Sequence, residues 1–165
     1  MTAADYAGIV EKMIPGRKTM LVLTRAILYS ELEQKTEDQS ADAGPHVLVV
    51  GAGGGEEILQ LADGHPSWKF TGLDPNEKMN DVGKERIREQ GLTNEITWVQ
   101  MPIADLETSG FHGATCLLTA HFIPEDGRQQ FYADIHRRLR PGAPFVLVSA
   151  SYDRNGNPDG TSFFE

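Results

Sequence analysis

Apolar residues along this chain fall into two patterns, short unbroken runs and repeats at three- and four-residue steps. The runs are Val47 to Val50, Trp68 to Leu73 (WKFTGL), Ala114 to Ala120 (ATCLLTA) and Pro144 to Ala150 (PFVLVSA), with Glu95 to Gln100 (EITWVQ) alternating in character. Runs this short, bounded by glycine, proline or acids, predict strands, and the continuous ones predict strands buried on both faces. The repeats predict helices. One runs from about Ala3 to Met13, with Tyr6, Ile9, Val10 and Met13 on one face. A second runs from about Arg17 to Lys35, with Met20, Leu21, Leu23, Thr24, Ile27, Leu28 and Leu32 recurring at helical spacing. Three more cover Glu56 to Ala62, the stretch from Pro75-Asn76 to about Gln90, and Asp126 to Leu139, where Phe131, Ile135 and Leu139 share a face. Pro15-Gly16, Asp63-Gly64, Gly91 and Arg140-Pro141-Gly142 punctuate them. Thr36 to Gly44 is polar and acidic, as a solvated linker is, and Ser151 to Glu165 has a loop composition.

Strands alternating with helices give βαβ units, hence an α/β fold of three layers with a mostly parallel sheet. Residues 1–35 form an N-terminal helical segment and 36–165 the sheet domain, within one compact unit of 165 residues. The N-terminal helices either pack on the sheet or close as a lid over a site. Packing is the preferred reading, because such stripes are usually core. Ligands in open parallel sheets bind beyond the carboxyl ends of the strands, where strand order switches. Chemistry is therefore expected at Gly51–Gly55, Asp74, Met101–Asp105 and Thr119–Phe122.

The formal charge is -9, from 24 acids against 15 Lys and Arg, which argues against broad nucleic-acid binding. The lone cysteine, Cys116, sits in an apolar run, so no disulfide framework forms within the chain and a reducing, cytoplasmic setting is expected. No apolar run approaches membrane-spanning length. His46, His65, His112 and His136 lack metal-ligand spacing, so no metal site is expected.

The chain is organised around HVLVVGAGGGEE, His46 to Glu57. A buried strand breaks into Gly51, Gly53, Gly54 and Gly55, which permit positive φ and close approach of the backbone to a ligand. A helix opens behind them, with free N–H groups at its start. Asp74 ends the second strand 23 residues after Gly51, where a carboxylate accepts both ribose hydroxyls of a nucleotide. A nicotinamide site reads G-x-G-x-x-G, and here the third glycine position holds Glu56.

VLVVGAGGGEE, FTGLDPNEKM and LRPGAPFVLVSA together resemble the motifs of class I S-adenosylmethionine-dependent methyltransferases, over His46 to Ala150. The resemblance implies a Rossmann-like fold and a methyltransferase that binds S-adenosylmethionine and acts on a small-molecule acceptor. It implies that Gly51, Ala52, Gly53 and Gly55 pass against the methionine part and sugar, that Asp74 with Pro75 and Met79 holds the ribose side, and that Pro102 and Ile103 clasp adenine. Thr119 to Phe122 would face the sulfonium and the acceptor, and Tyr6 would close over the cofactor if it is not core. Arg17 and Lys18 are candidate partners of the cofactor carboxylate, though their place after a Pro-Gly turn predicts solvation.

Three departures from the family pattern stand out. The acid often found two residues before the first glycine, a ligand of the methionine ammonium, is Val49 here. The adenine-side acid after strand three is Pro102, which lacks an N–H, so Ile103 N–H becomes the candidate donor. Asp105 either replaces that acid or caps the next turn. The two strands that usually follow strand five are absent, which predicts either a longer protein cut short or a homodimer paired through the strand-five edge. His121 is either a general base toward an acceptor hydroxyl or a packing partner of Phe122. The rivals are a non-catalytic relative with a binding or scaffolding role and a nicotinamide-dependent oxidoreductase.

Overall fold

A computed structural model describes residues 14–33 and 44–150. The helix expected over Ala3–Met13 with Tyr6, most of the acidic linker and the loop from Ser151 lie outside the described residues. The elements are α1 (Arg17–Glu33), β1 (His46–Val50), α2 (Glu56–Ala62), β2 (Lys69–Leu73), α3 (Glu77–Glu89), β3 (Ile96–Val99), β4 (Gly113–Leu117), α4 (Glu125–His136) and β5 (Phe145–Val148). Single 3₁₀ turns at Ile103–Asp105 and Ala120–Phe122 follow β3 and β4.

The five strands form one parallel sheet in the order β3-β2-β1-β4-β5. The order reverses at β1, so the crevice between the ends of β1 and β4 is the topological switch point. Burial falls from the centre outward. Every residue of β4 is buried, and so is every residue of β1 after His46. Edge strands β3 and β5 are only partly covered. This explains why the central strands read as continuous apolar runs and β3 as an alternating one.

Alternate residues of β1 divide between two cores. Val47 and Val49 pack with Leu28 and Leu32 of α1, Ile58 and Leu61 of α2, Ile87 of α3, Trp68 and Phe70. Leu48 and Val50 pack on the other face with Phe111, Cys116, Phe131 and Ile135 of α4, and Ile103. The expected three layers are present.

Three expectations need correction. On α1 the buried stripe is Leu21, Thr24, Leu28 and Leu32, whereas Leu23 and Ile27 are exposed at 57% and 50%. Contact with α2 and the sheet leaves room for only one narrow face of the helix. The strand expected over Ala114–Ala120 ends at Leu117, because Leu118 turns to φ 53 and Ala120–Phe122 coils. Trp68 and Trp98, on strand-forming runs, are both expected in the core, yet Trp98 is only partly covered, with its ring over Gly72 and Gly83. Trp68, by contrast, is 1% exposed.

Candidate functional site

The glycine turn is built by hydrogen bonds as well as by permissive φ. Gly51 (φ 76) and Ala52 both donate their N–H to Leu73 O, at 2.7 and 3.0 Å, which folds the chain back over the end of β2. A Cβ on Gly51 would lie 2.1 Å from Thr119 Oγ1, so only glycine lets the β1 and β4 ends come this close. Gly53 N–H donates to Asp74 Oδ2 at 3.1 Å. Asn76 N–H donates to Asp74 Oδ1 at 2.8 Å, and Asn80 Nδ2 holds Asp74 O at 2.9 Å. The Asn76 side chain in turn accepts from Lys78 and Met79 N–H and caps α3. Asp74 is therefore held from three sides, and each carboxylate oxygen keeps a lone pair for a ligand.

Around these groups lies a cavity of about 1060 Å³, at the top of the range for small-molecule sites. Its walls come from the ends of all four strands β1 to β4. Gly51–Gly54 form one side; Asp74, Pro75, Asn76 and Met79 the next; Met101, Pro102 and Ile103 a third; and Leu118, Thr119, His121 and Phe122 the fourth. The start of α1 supplies Ile14, Pro15, Arg17, Met20 and Leu21. Helix α1 packs through its middle and walls the cavity with its first turn, while the helix weighed as a lid, Ala3–Met13, lies outside the described residues.

Of the predicted positions, Gly51, Ala52, Gly53, Asp74, Pro75, Met79, Pro102, Ile103, Thr119 and His121 meet at this one cavity. Gly55 does not line it. Its Cα faces α3, where an added Cβ would lie 3.0 Å from Gly83 Cα, so this glycine serves helix packing rather than a ligand. Asp105 is exposed and also off the wall, which removes it as a substitute adenine-side acid in this arrangement. Tyr6 lies outside the described residues. Arg17, expected in solvent, is instead 15% exposed and paired with Glu56, which Arg86 also approaches at 3.7 Å.

His121 stands on the cavity wall with its pKa lowered by burial and by the Arg128 charge, which favours the neutral ring. Its Nδ1 accepts from Ala150 N–H at 3.4 Å, and its ring lies 4.3 Å from that of Phe122. A neutral ring that accepts at Nδ1 carries its proton on Nε2, so in this geometry His121 offers a donor rather than a base.

Three features of the site escaped the pattern of the sequence. Leu118 is the one described non-glycine residue with positive φ, at the tip of β4 on the cavity wall. Such strain persists where the surrounding structure holds it, as it does at binding sites. Arg138, 8% exposed, donates to Leu106 O at 2.6 Å, Asp134 O at 2.6 Å and Ala104 O at 3.0 Å, and so ties the wall after β3 to α4. Glu57, 7% exposed, lines the cavity, and its Oε1 has no hydrogen-bond partner. Burial pushes its pKa up to about 8, against the pull of the Thr115 hydroxyl and the Arg17 charge. The sequence shows Glu57 as one of two acids that open the helix behind the glycines, and nothing in that position distinguishes it from Glu56.

Comparison with known proteins agrees with this geometry. Residues 47–142 match the family described as a methyltransferase domain. The chain is 28% identical over 138 residues to the ubiquinone biosynthesis O-methyltransferase of Coxiella burnetii, covering 76% of this chain and 58% of that protein. It is 28% identical over 114 residues to the demethylmenaquinone methyltransferase of Symbiobacterium thermophilum, covering 66% and 43%. This chain therefore spans about half the length of these curated relatives. The fold superposes on the plantazolicin methyltransferase BpumL, crystallised with S-adenosylhomocysteine and a substrate analogue, with a TM-score of 0.64 at 11% identity, covering 90% of this chain and 51% of that one.

Proposed function

This chain belongs to the methyltransferase-domain family, and we propose that its cavity takes S-adenosylmethionine and directs the methyl group to a small-molecule acceptor. The observation that carries the reading is the joint between the glycine turn and Asp74, made by the 3.1 Å bond from Gly53 N–H. That joint sets a ribose-binding carboxylate beside a backbone with no side chains to obstruct a ligand.

The residues present fit this cofactor. Asp74 retains acceptor capacity for two ribose hydroxyls, and Gly51 lets the Thr119 end of β4 close against the glycine turn at the cavity wall. A buried carboxyl at Glu57 has an unsatisfied oxygen on the same cavity. When bound, S-adenosylmethionine supplies an electrophilic methyl on a sulfonium, and transfer is an in-line displacement. The protein's share is then position and exclusion of water rather than acid–base chemistry. Asp74 holds the sugar, Met79, Pro102 and Ile103 form the adenine side, and Leu118 and Thr119 face the reacting end. Apolar Met20, Leu21, Phe122 and Phe131 shield it. Phe122, 77% exposed at the rim, offers a flat surface to an incoming acceptor.

Two further parts of the reading concern setting and assembly. Buried, unpaired Cys116 suits a reducing cytoplasm. Among the described residues β5 is bonded on one side only, by β4, and its free edge suits pairing with a second copy. Sedimentation that finds only monomer at high concentration removes the dimer.

A second reading, a cofactor-binding relative without catalysis, draws support from Val49 and Pro102 standing where acids are common. Parallel calorimetric titration with S-adenosylmethionine, S-adenosylhomocysteine and NAD tests these readings. Micromolar binding of the first two and none of NAD is the expected result. Binding of NAD alone overturns the proposal in favour of hydride transfer. Binding of both adenosyl ligands without turnover on any phenolic or quinol acceptor favours the second reading.

A further inference from the structure

The structure poses one question that the glycine turn and Asp74 leave open, namely what holds the cationic amino-acid end of the cofactor when Val49 stands in the acid's place. Val49 cannot do so. Its side chain points to the α1–α2 face of the sheet, packed with Leu28 and Ile58, and its Cα is in register with that of Thr115 on β4. Glu57 lies on that same face, one helical position behind the glycine turn. Its carboxyl neighbours the Thr115 hydroxyl, and its nine-tenths buried side chain lines the cavity. A carboxyl that enters from α2 thus arrives beside Thr115, where one rooted at position 49 of β1 would also point.

Glu57 Oε1 and Thr115 Oγ1 are both buried here without a partner at full hydrogen-bond geometry, and the hydroxyl lies close enough to favour the carboxylate form of Glu57. Native proteins rarely leave such atoms unpaired, and the exceptions call for a ligand or a function. Four charged or titratable groups surround Glu57. The Arg17 charge reaches it from α1, Glu56 is its neighbour on α2 and is approached by Arg17 and by Arg86 of α3, and the Cys116 thiol of β4 lies on the opposite face of the sheet. The thiol stays protonated, with a pKa pushed up to about 12 by burial and by the Glu57 charge. Arg17 also brings a cation to the cavity wall. The wall around Glu57 therefore carries its carboxyl group and, beside it, the guanidinium of Arg17 in its pair with Glu56.

We propose that Glu57 is the ligand of the cofactor's α-ammonium group, a carboxylate moved from β1 to α2, with Thr115 completing the contact. The proposal rests on the reading of the cavity as an S-adenosylmethionine site. Binding then has a proton balance. Before binding Glu57 holds its proton at neutral pH, the arriving ammonium favours the carboxylate, and the acid proton leaves to bulk water. Affinity consequently rises with pH, by up to about tenfold per unit, towards pH 8, and falls again where the ammonium group of the ligand loses its own proton.

The test is calorimetry of the whole chain with three probes: S-adenosylhomocysteine, its deaminated analogue that keeps the carboxylate, and 5′-methylthioadenosine, which lacks the amino-acid end. Glu57→Gln is expected to weaken S-adenosylhomocysteine about 10- to 100-fold and to leave the other two within about twofold, with far-UV circular dichroism checking the fold. Wild-type protein, titrated at pH 7 in buffers of different ionisation enthalpy, is expected to release close to one proton per S-adenosylhomocysteine and none with methylthioadenosine. This second measurement needs no variant. Equal losses for all three probes, or no proton release, overturn the role of Glu57 while leaving the cofactor reading intact. Failure of wild-type protein to bind any of the three overturns the cofactor reading and the proposal with it.

Discussion

The backbone N–H of Gly53 donates to Asp74 Oδ2 at 3.1 Å, across the gap between the ends of β1 and β2. The same carboxylate receives Asn76 N–H, so one side chain organises both the glycine turn and the entry into α3. Asp74→Ala is therefore expected to weaken S-adenosylhomocysteine binding by about 1.5–3 kcal/mol, the scale of charge-assisted hydrogen bonds. Asp74→Asn, which preserves shape but exchanges an acceptor for a donor, is expected to lose nearly as much. Wild-type affinity in the Ala variant, measured by calorimetry, contradicts the assigned orientation.

Stability depends on pH through Glu57, and the sign is unusual for a carboxylate. Its folded-state pKa of about 8 stands above the ordinary 4.5. As pH rises the unfolded chain gives up this proton first, so stability falls from about pH 4.5 to pH 8 and then levels off. Glu57→Gln removes that cost. The variant is expected to be more stable than wild type by about 2–4 kcal/mol at pH 7.5 and nearly equal to it at pH 4.5, read from urea melts.

Gly83 and Gly127 are both helical, and replacement by alanine is expected to act in opposite directions. A Cβ on Gly83 would lie 2.3 Å from the Trp98 ring and 2.9 Å from Gly53 O, both inside the packed wall behind the glycine turn. Gly83→Ala should cost about 1–3 kcal/mol and weaken cofactor binding as the turn shifts. Gly127→Ala meets only Ile123 at 3.6 Å and should stabilise α4 by about 0.5–1 kcal/mol. Thermal melts of the two variants check the contrast.

Arg138 makes three hydrogen bonds to main-chain carbonyls, two of them in the turn that carries Ile103. Arg138→Met preserves bulk but leaves those carbonyls unpaired. It is expected to cost about 2–4 kcal/mol in urea unfolding, and to weaken S-adenosylhomocysteine through the loosened Pro102–Ile103 wall.

His121 accepts at Nδ1 and so carries its proton on Nε2, and a role as base is not what this tautomer favours. His121→Asn, which keeps a donor, is expected to lower kcat less than about threefold. His121→Ala is expected to raise KM for the acceptor more than it lowers kcat. A loss of kcat beyond about 100-fold in both variants, with the acid limb of the pH profile abolished, restores the base.

Local pattern by itself determined the strands, their parallel arrangement and the two ends that meet at Gly53 and Asp74. Each of those follows from short-range rules: apolar runs make buried strands, glycine admits the turn, and alternation with helices forces parallel crossovers. Even the extent of α2, Glu56–Ala62, was readable from its flanking glycines and Asp63-Gly64. Tertiary structure decided what each position meets once the layers close. Gly51 and Gly55 look alike in the sequence, yet one faces Thr119 on the cavity and the other faces Gly83 behind it. Leu23 and Leu28 share one helical repeat, but only Leu28 finds the sheet. Glu56 and Glu57 are adjacent acids of one first turn, and the approach of α1 and β4 makes Glu57 the buried one, with an oxygen lacking a partner. Burial and partnership depend on residues far away in the chain, and no local period encodes them.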